Sequence, residues 1–297
     1  MSVVLLVLPD FLIIAMGWIL RNKAGFSREF FVGLEKLVYY LLFPSLLFMS
    51  ILRIPISASD ALDTLIATSL ICLTGIVGAW LAAPFFKPPS LLMASCAQCG
   101  FRFNTYMGLA LAPSLAGSAG QSSMALIIGF AVPIVNLAAV YALARHHGTN
   151  VLGALLRNPL LMSTLLGLMA NLAGLKMPVP IDILLTRLGS ASVPIGILCV
   201  GASLSWQSAQ GSLPVMAWVV GVKLLLMPAA AWVIATVMNL DSIKTQMMVL
   251  FASLPTASAA YVLAVRMGGD GRMVGVTITI ATLLSAVTIP LWLLLVT

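Results

Sequence analysis

The sequence predicts an all-α polytopic membrane protein. Its ten transmembrane helices are expected as a 5+5 inverted repeat, with helices 4 and 9 broken and crossing. Three observations carry this expectation. The chain is too apolar for water: of its 297 residues 61% are hydrophobic and 8% charged, against roughly 25% charged in a soluble domain. Its apolar runs are long, and about 20 apolar residues span a bilayer as a helix, whereas barrel strands alternate. Prolines also recur at a near-constant offset between the two halves of the chain.

The ten expected segments cover residues 3–20, 34–52, 61–83, 89–113, 122–144, 158–175, 181–204, 213–237, 243–266 and 273–296, each bounded by charges, Gly/Pro turns or both. The first follows from "MSVVLLVLPDF", which has no Lys or Arg before its apolar run; Arg21, Lys23 and Arg28 come after it. A cleavable signal has the opposite order, so this segment is expected to stay as a span. The basic residues then orient the set. Odd-numbered loops hold Arg21, Lys23, Arg28, Lys36, Lys87, Arg145, Arg157, Arg266 and Arg272; even-numbered loops and span ends hold Arg53, Lys176, Arg187 and Lys244. Nine against four puts the odd loops in the cytoplasm and both termini outside, in the periplasm of an inner-membrane protein. Glu29 and Glu35 read as surface charges of the first cytoplasmic loop. The net charge of +7 sits in these short loops and is no nucleic-acid footprint.

The central loop "ARHHGTNVLGALLRNP" is short. It divides the chain into a first repeat (1–144), a cytoplasmic linker (145–157) and a second repeat (158–297). Asn158 as N-cap and Pro159 at the first helical position make a good helix start. Five spans per half force opposite orientations on the halves. Pro44 and Pro194 lie 150 residues apart, each after a basic-Leu pair (Lys36-Leu37, Arg187-Leu188); Pro133 and Pro290 lie 157 apart, and Asn104 and Pro255 lie 151 apart. Together these offsets suggest the inverted repeat of many secondary transporters.

Spans 4 and 9 carry the expected site. Pro255, in "LFASLPTASAAYVLAV", lacks an N–H and crowds the carbonyl of Phe251. A broken backbone in lipid must face protein or a water-filled cavity. Ser253, Thr256 and Ser258 surround the break; a plain proline kink patched by hydroxyls is the other reading. In "GFRFNTYMGLALAP" of span 4, Arg102 costs at least ~2.5–3.5 kcal/mol at the bilayer centre. Asn104 and Thr105 can bond backbone, and Gly100 and Gly108 weaken the helix. The segment reads as a second interrupted helix crossing the first near the midplane, where half-helix N-termini and Arg102 favour an anion. The alternative is that Arg102 snorkels to an interface.

Other polar residues are weighed more evenly. Asp10 is either a coupling carboxylate or an interfacial residue beside Pro9. Lys223 either pairs with a carboxylate or substrate, or snorkels. Asn136 and Gln98 are candidate cavity residues. The adjacent His146 and His147 do not suggest a metal. Cys72, Cys96, Cys99 and Cys199 read as small buried hydrophobes.

At this point the residues resemble a family. "FRFNTYMGLAL", "RNPLLMSTLLGL", "FASLPTASAAYVLAVRMGGD" and "GWILRNKAGFSREFFVGLEKLVYYLLFPSLLF" are similar, in order and over nearly the whole chain, to segments of the auxin efflux carrier (PIN-like) transporters. The resemblance implies the ten-helix architecture of sodium/proton antiporters and bile-acid symporters, with substrate at the crossing of helices 4 and 9. It also implies a small organic anion such as a mono- or dicarboxylate as substrate, of the bacterial malonate/malate-permease kind, and a homodimer. Asn104 matches the crossover asparagine and Pro255 the crossover proline. The sequence departs from the pattern at Ala110, where many relatives have proline, and it lacks the long cytoplasmic loop of plant carriers.

Two rival classes fare worse. An enzyme needs a nucleophile with its base, paired carboxylates or a metal set; Asp10 is read as the one carboxylate well inside a span, and no G-x-S-x-G or H-E-x-x-H occurs. A channel would carry a charge ring or filter motif, and none is evident. The expected function is secondary active transport of an organic anion across the bilayer. No cofactor is called for; proton coupling, sodium coupling and uniport stay open.

Overall fold

A computed structural model describes residues 3–53, 58–147, 159–203, 213–257 and 259–296. Every regular element among them is helical. We number the helices α1 (Val3–Asn22), α2 (Arg28–Leu52), α3 (Ala58–Trp80), α4 (Ala82–Phe86), α5 (Ser90–Ala97), α6 (Thr105–His147), α7 (Pro159–Leu172), α8 (Val179–Ser203), α9 (Leu213–Val237), α10 (Ser242–Ser253), α11 (Ala259–Arg266) and α12 (Gly271–Leu294). Among the described residues six stretches are long and apolar enough to cross a membrane: Arg28–Leu52, Leu62–Phe86, Ser90–Leu143, Val179–Cys199, Leu213–Val237 and Gly271–Leu294. The protein is therefore an all-helical, polytopic membrane protein. The expected cap at Asn158 lies outside the described residues.

Local chemistry sets the helix limits. Ser27 caps α2, its Oγ accepting from Phe30 N at 3.1 Å; Asp241 caps α10, accepting from Lys244 N at 2.9 Å; Asp270 caps α12, accepting from Met273 N at 2.9 Å. Each oxygen satisfies an amide with no partner inside the helix. Prolines act differently inside α2 and α9. Pro44 follows a π-turn at Val38–Leu42, and Pro228 follows one at Val222–Leu226. Pro228 leaves the Leu224 carbonyl without its usual amide, and Trp292 Nε1 donates to it at 2.9 Å.

Residues 105–147 are two helices, not one. Ala116 (φ −136°) and Gly117 (φ +58°) are non-helical, and glycine tolerates that left-handed value. The chain reverses there, separating a first limb (105–115) from a second limb (118–147). The expected segments 89–113 and 122–144 thus correspond to α5 with the first limb, and to the second limb.

Two packing groups emerge. α1, α2, α7 and α8 pack on one another, and α3, α6, α9, α10 and α12 form the other group. Gly75 and Gly78 of α3 face α9: a Cβ on Gly75 would meet Met227 Sδ at 2.7 Å, and one on Gly78 would meet Leu226 Cδ2 at 2.9 Å. The pair brings α3 and α9 together within the chain. Large apolar side chains such as Leu73, Val77, Met169, Leu172, Val233 and Leu291 are exposed, as expected where lipid is the solvent.

Candidate functional site

Two helix breaks meet in the interior. The first lies between α5 and α6. A 3₁₀ turn at Gln98–Gly100 ends α5, Phe101–Asn104 leave the helix, and the chain resumes at Thr105. No proline makes this break. Asn104 makes it: its Oδ1 accepts from Tyr106 N at 3.1 Å and Met107 N at 3.3 Å, capping α6. The second break runs from Leu254 to Ala257, after α10. Pro255 cannot donate there.

Each break satisfies the other. Asn104 N donates to Pro255 O at 2.8 Å, and Thr256 Oγ1 donates to Cys99 O at 2.7 Å. Residues 151 and 157 apart in sequence are thereby joined backbone to backbone and side chain to backbone. Phe103 and Phe251 stack edge to face with centroids 4.5 Å apart. Gly108 permits the approach, since a Cβ there would meet Leu254 Cδ1 at 2.8 Å. Thus the two interrupted segments expected from Arg102–Asn104 and from Pro255 meet at their breaks.

Lys223 completes the crossing. It is fully buried in the π-turn of α9, and its Nζ donates to Ala252 O at 2.8 Å. An ammonium at the C-terminal end of α10 meets the negative end of the helix dipole and an orphan carbonyl together. Lys223 therefore does not snorkel, and among the described residues it has no carboxylate partner; its partner is a backbone carbonyl.

A cavity opens beside the first break. Arg102, Asn104, Thr105 and Tyr106 line one side, Asn136 of the second limb another, and Glu35 and Tyr39 of α2 with Cys199 of α8 close the rest. It encloses about 60 Å³, room for a few waters or a small acid, since one water needs roughly 10–15 Å³. Phe43 and Tyr106 meet edge to face at 4.6 Å on its wall. Arg102 is 5% exposed, and its Nη1 lies 3.5 Å from Gln98 Oε1, a long contact. No carboxylate pairs with it among the described residues. Asn104 is 1% exposed, and its Nδ2 has no partner among the described residues. The cavity wall therefore offers a guanidinium and a spare amide donor beside the N-terminus of α6. An anion suits that set.

The other expected residues are placed as follows. Asn136 and Thr105 line the cavity with Arg102 and Asn104. Gln98 is buried behind Arg102 with its Nε2 unpartnered. Ser253 Oγ donates to Val249 O at 2.7 Å and Thr256 to Cys99 O, so both hydroxyls bond backbone and neither residue is on the cavity wall. Ser258 and the side chain of Asp10 lie outside the described residues. Glu35 requires a correction. It is not a loop charge: it sits inside α2 and faces the cavity. The signal was present in the spacing, since Glu35, Val38, Tyr39 and Phe43 share one helical face and all four line the cavity.

A second cavity lies at another level of the same helices. Leu46 and Met49 of α2, Arg53 just after it, Gln121 and Ser122 of the second limb, and Thr186 and Ser190 of α8 line it. Arg53 donates to Asp182 Oδ2 and to Thr186 Oγ1, each at 2.7 Å. Glu35 to Phe43 of α2 and Gly196 to Cys199 of α8 line the first cavity, while Leu46 to Ser50 of α2 and Leu185 to Ser190 of α8 line the second. The two helices therefore run antiparallel past both.

Comparison with known proteins points the same way. The model of a family described as membrane transport protein matches residues 2–149 and 143–293. A putative malonate transporter of Rhizobium meliloti is 26% identical over 96% of this chain and 92% of its own length. An uncharacterized transporter of Methanothermobacter thermautotrophicus is 26% identical over 96% of both chains, and the uncharacterized transporter YfdV of Escherichia coli is 26% identical over 96% of this chain and 95% of its own.

Proposed function

Because this chain belongs to the membrane transport protein family, the auxin efflux carrier type, and is a transporter rather than an enzyme, we propose that it is a secondary carrier of small organic anions, mono- or dicarboxylates. The single observation that carries the reading is Arg102. A guanidinium 5% exposed, with no carboxylate partner among the described residues, faces a cavity at a helix break. A charge at membrane depth is expensive, and a substrate carboxylate would neutralise it through two parallel hydrogen bonds. Asn104 Nδ2 supplies a further donor. The name of the Rhizobium relative supports the substrate class.

The carrier works, on this reading, by alternating access. Two cavities at two levels of α2, α8 and the second limb favour a site that opens first to one side and then to the other. The same proposal includes ten membrane crossings in two inverted halves, with α5 and the first limb as crossing four and α10 and α11 as crossing nine. It places both termini in the periplasm of an inner-membrane homodimer, on the basic-residue bias and the resemblance.

Binding of malonate, succinate and lactate to purified protein tests the reading. Arg102→Ala is expected to lose affinity by more than tenfold, and Arg102→Lys nearly as much, because the planar fork is lost. Unchanged affinity in Arg102→Ala would remove the anion site.

A further inference from the structure

Two formal charges line the first cavity among the described residues, Arg102 and Glu35. They come from different elements, Arg102 from the α5–α6 break and Glu35 from α2. They do not pair: the ion pairs among the described residues are Arg53–Asp182 and Lys244–Asp241. The other ionisable groups around Glu35 are Arg28 and Tyr39 on its own helix, Cys199 on α8 and Tyr106 on the first limb. Arg28 is engaged elsewhere, donating to Tyr261 Oη of α11 at 2.8 Å. Val38, Phe43, Phe103, Val132 and Val135 make the rest of the wall largely apolar.

Charge conservation then constrains what the cavity can hold. Empty, it contains one cation and one anion. A substrate carboxylate bound at Arg102 would leave one uncompensated negative charge in an apolar enclosure, which is costly. Taking a proton from solvent onto a Glu35 carboxylate oxygen removes that charge: guanidinium and substrate anion remain as a pair, and Glu35 is neutral. A sodium ion would balance the same charge, and the driving gradient distinguishes it from a proton in the test below.

We propose that Glu35 is the proton-binding group of the carrier, so that one proton enters the cavity with each anion. The proposal rests on the anion site at Arg102 argued above. It makes a monocarboxylate cross with no net charge and a dicarboxylate with one negative charge. Binding of proton and anion is mutually favourable, and by linkage each raises the affinity for the other by the same factor. Affinity for the anion therefore falls as pH rises through the titration of Glu35.

The test is calorimetry of malonate binding to the full chain in nanodiscs, in two buffers of different ionisation enthalpy. Wild type, Glu35→Gln and Glu35→Asp are compared, and Glu35→Gln reports the titration of malonate itself. Wild type is expected to take up about one proton more per malonate than Glu35→Gln. Its affinity should fall at least ~5-fold more with rising pH than that of Glu35→Gln, and Glu35→Asp should keep both properties. Equal proton uptake and equal pH slopes in wild type and Glu35→Gln would overturn the role of Glu35 and leave the anion site standing. Loss of the anion site would show instead as unchanged malonate affinity in Arg102→Ala. A second measurement needs no variant. Wild-type proteoliposomes should accumulate malonate down a pH gradient, and accumulation driven by a sodium gradient alone would overturn the proposal.

Discussion

Replacing Thr256 by valine removes one of the two hydrogen bonds that join the helix breaks, with almost no change of shape. The hydroxyl donates to Cys99 O at 2.7 Å, and Thr256 and Cys99 are 0% and 1% exposed. No water can reach the carbonyl that is left behind. A buried polar group without a partner costs about 1–3 kcal/mol, while side-chain bonds between helices in membranes average about 0.6 and reach about 1.7 kcal/mol. Full burial places this bond at the upper end, about 1–2 kcal/mol. At about 2–4 °C per kcal/mol for a large domain, the unfolding midpoint in detergent should fall by about 2–8 °C. The Asn104–Pro255 bond remains, so the protein should still fold, with the crossing held at one point. Thr256→Ser keeps the hydroxyl and should recover most of the loss. A Thr256→Val midpoint equal to wild type, or a Thr256→Ser midpoint as low as that of valine, would refute the claim that this bond ties the two breaks.

Asn104→Asp should fold, because a carboxylate oxygen still caps Tyr106 and Met107, yet lose malonate affinity by more than tenfold, since a donor becomes a negative charge; titration of the purified variant checks this. Lys223→Met should change the thermal midpoint by only a few degrees, because relief from burying an ammonium offsets the lost charged hydrogen bond to Ala252, while proteoliposome uptake drops sharply. Arg53→Ala removes a half-exposed ion pair with Asp182 and should shift the midpoint by less than about 1 kcal/mol equivalent. Cysteines placed at either terminus should react with an impermeant maleimide in cells whose inner membrane is intact; labelling only after that membrane is permeabilised would reverse the orientation.

The break at Pro255 was legible because the proline sits in the helix it breaks. The caps at Ser27, Asp241 and Asp270 are equally local, but a reading of apolar runs passes over them, and the helix after Ser27 starts at Arg28 where the expected segment began at 34. The break at Arg102–Asn104 was also legible, from a polar cluster that an apolar span cannot otherwise hold. What escaped was partnership with backbone. Lys223 and Thr256 were read for their side-chain chemistry, and both bond carbonyls of distant residues, which no side-chain pattern records. Glu35 escaped for another reason. Its neighbours Arg28 and Lys36 gave the segment the charge density of a loop, and charge density ignores which face of a helix a residue occupies. The π-turns before Pro44 and Pro228 were likewise invisible, since proline predicts a lost hydrogen bond but not the register that replaces it.

The Lys223–Ala252 bond has a consequence for biogenesis. α9 carries an ammonium near its middle, and a lysine at the centre of a lone helix costs about 2.5–3.5 kcal/mol on insertion. The carbonyl that receives it is only 29 residues further along the chain, on the next helix to leave the ribosome. α9 and α10 should therefore partition into lipid as a hairpin, and a nascent chain truncated before Ala252 should hesitate at the translocon. The bonds between the two breaks span 151 and 157 residues and can close only after that hairpin is in place. The cavity would then be among the last features of the molecule to form.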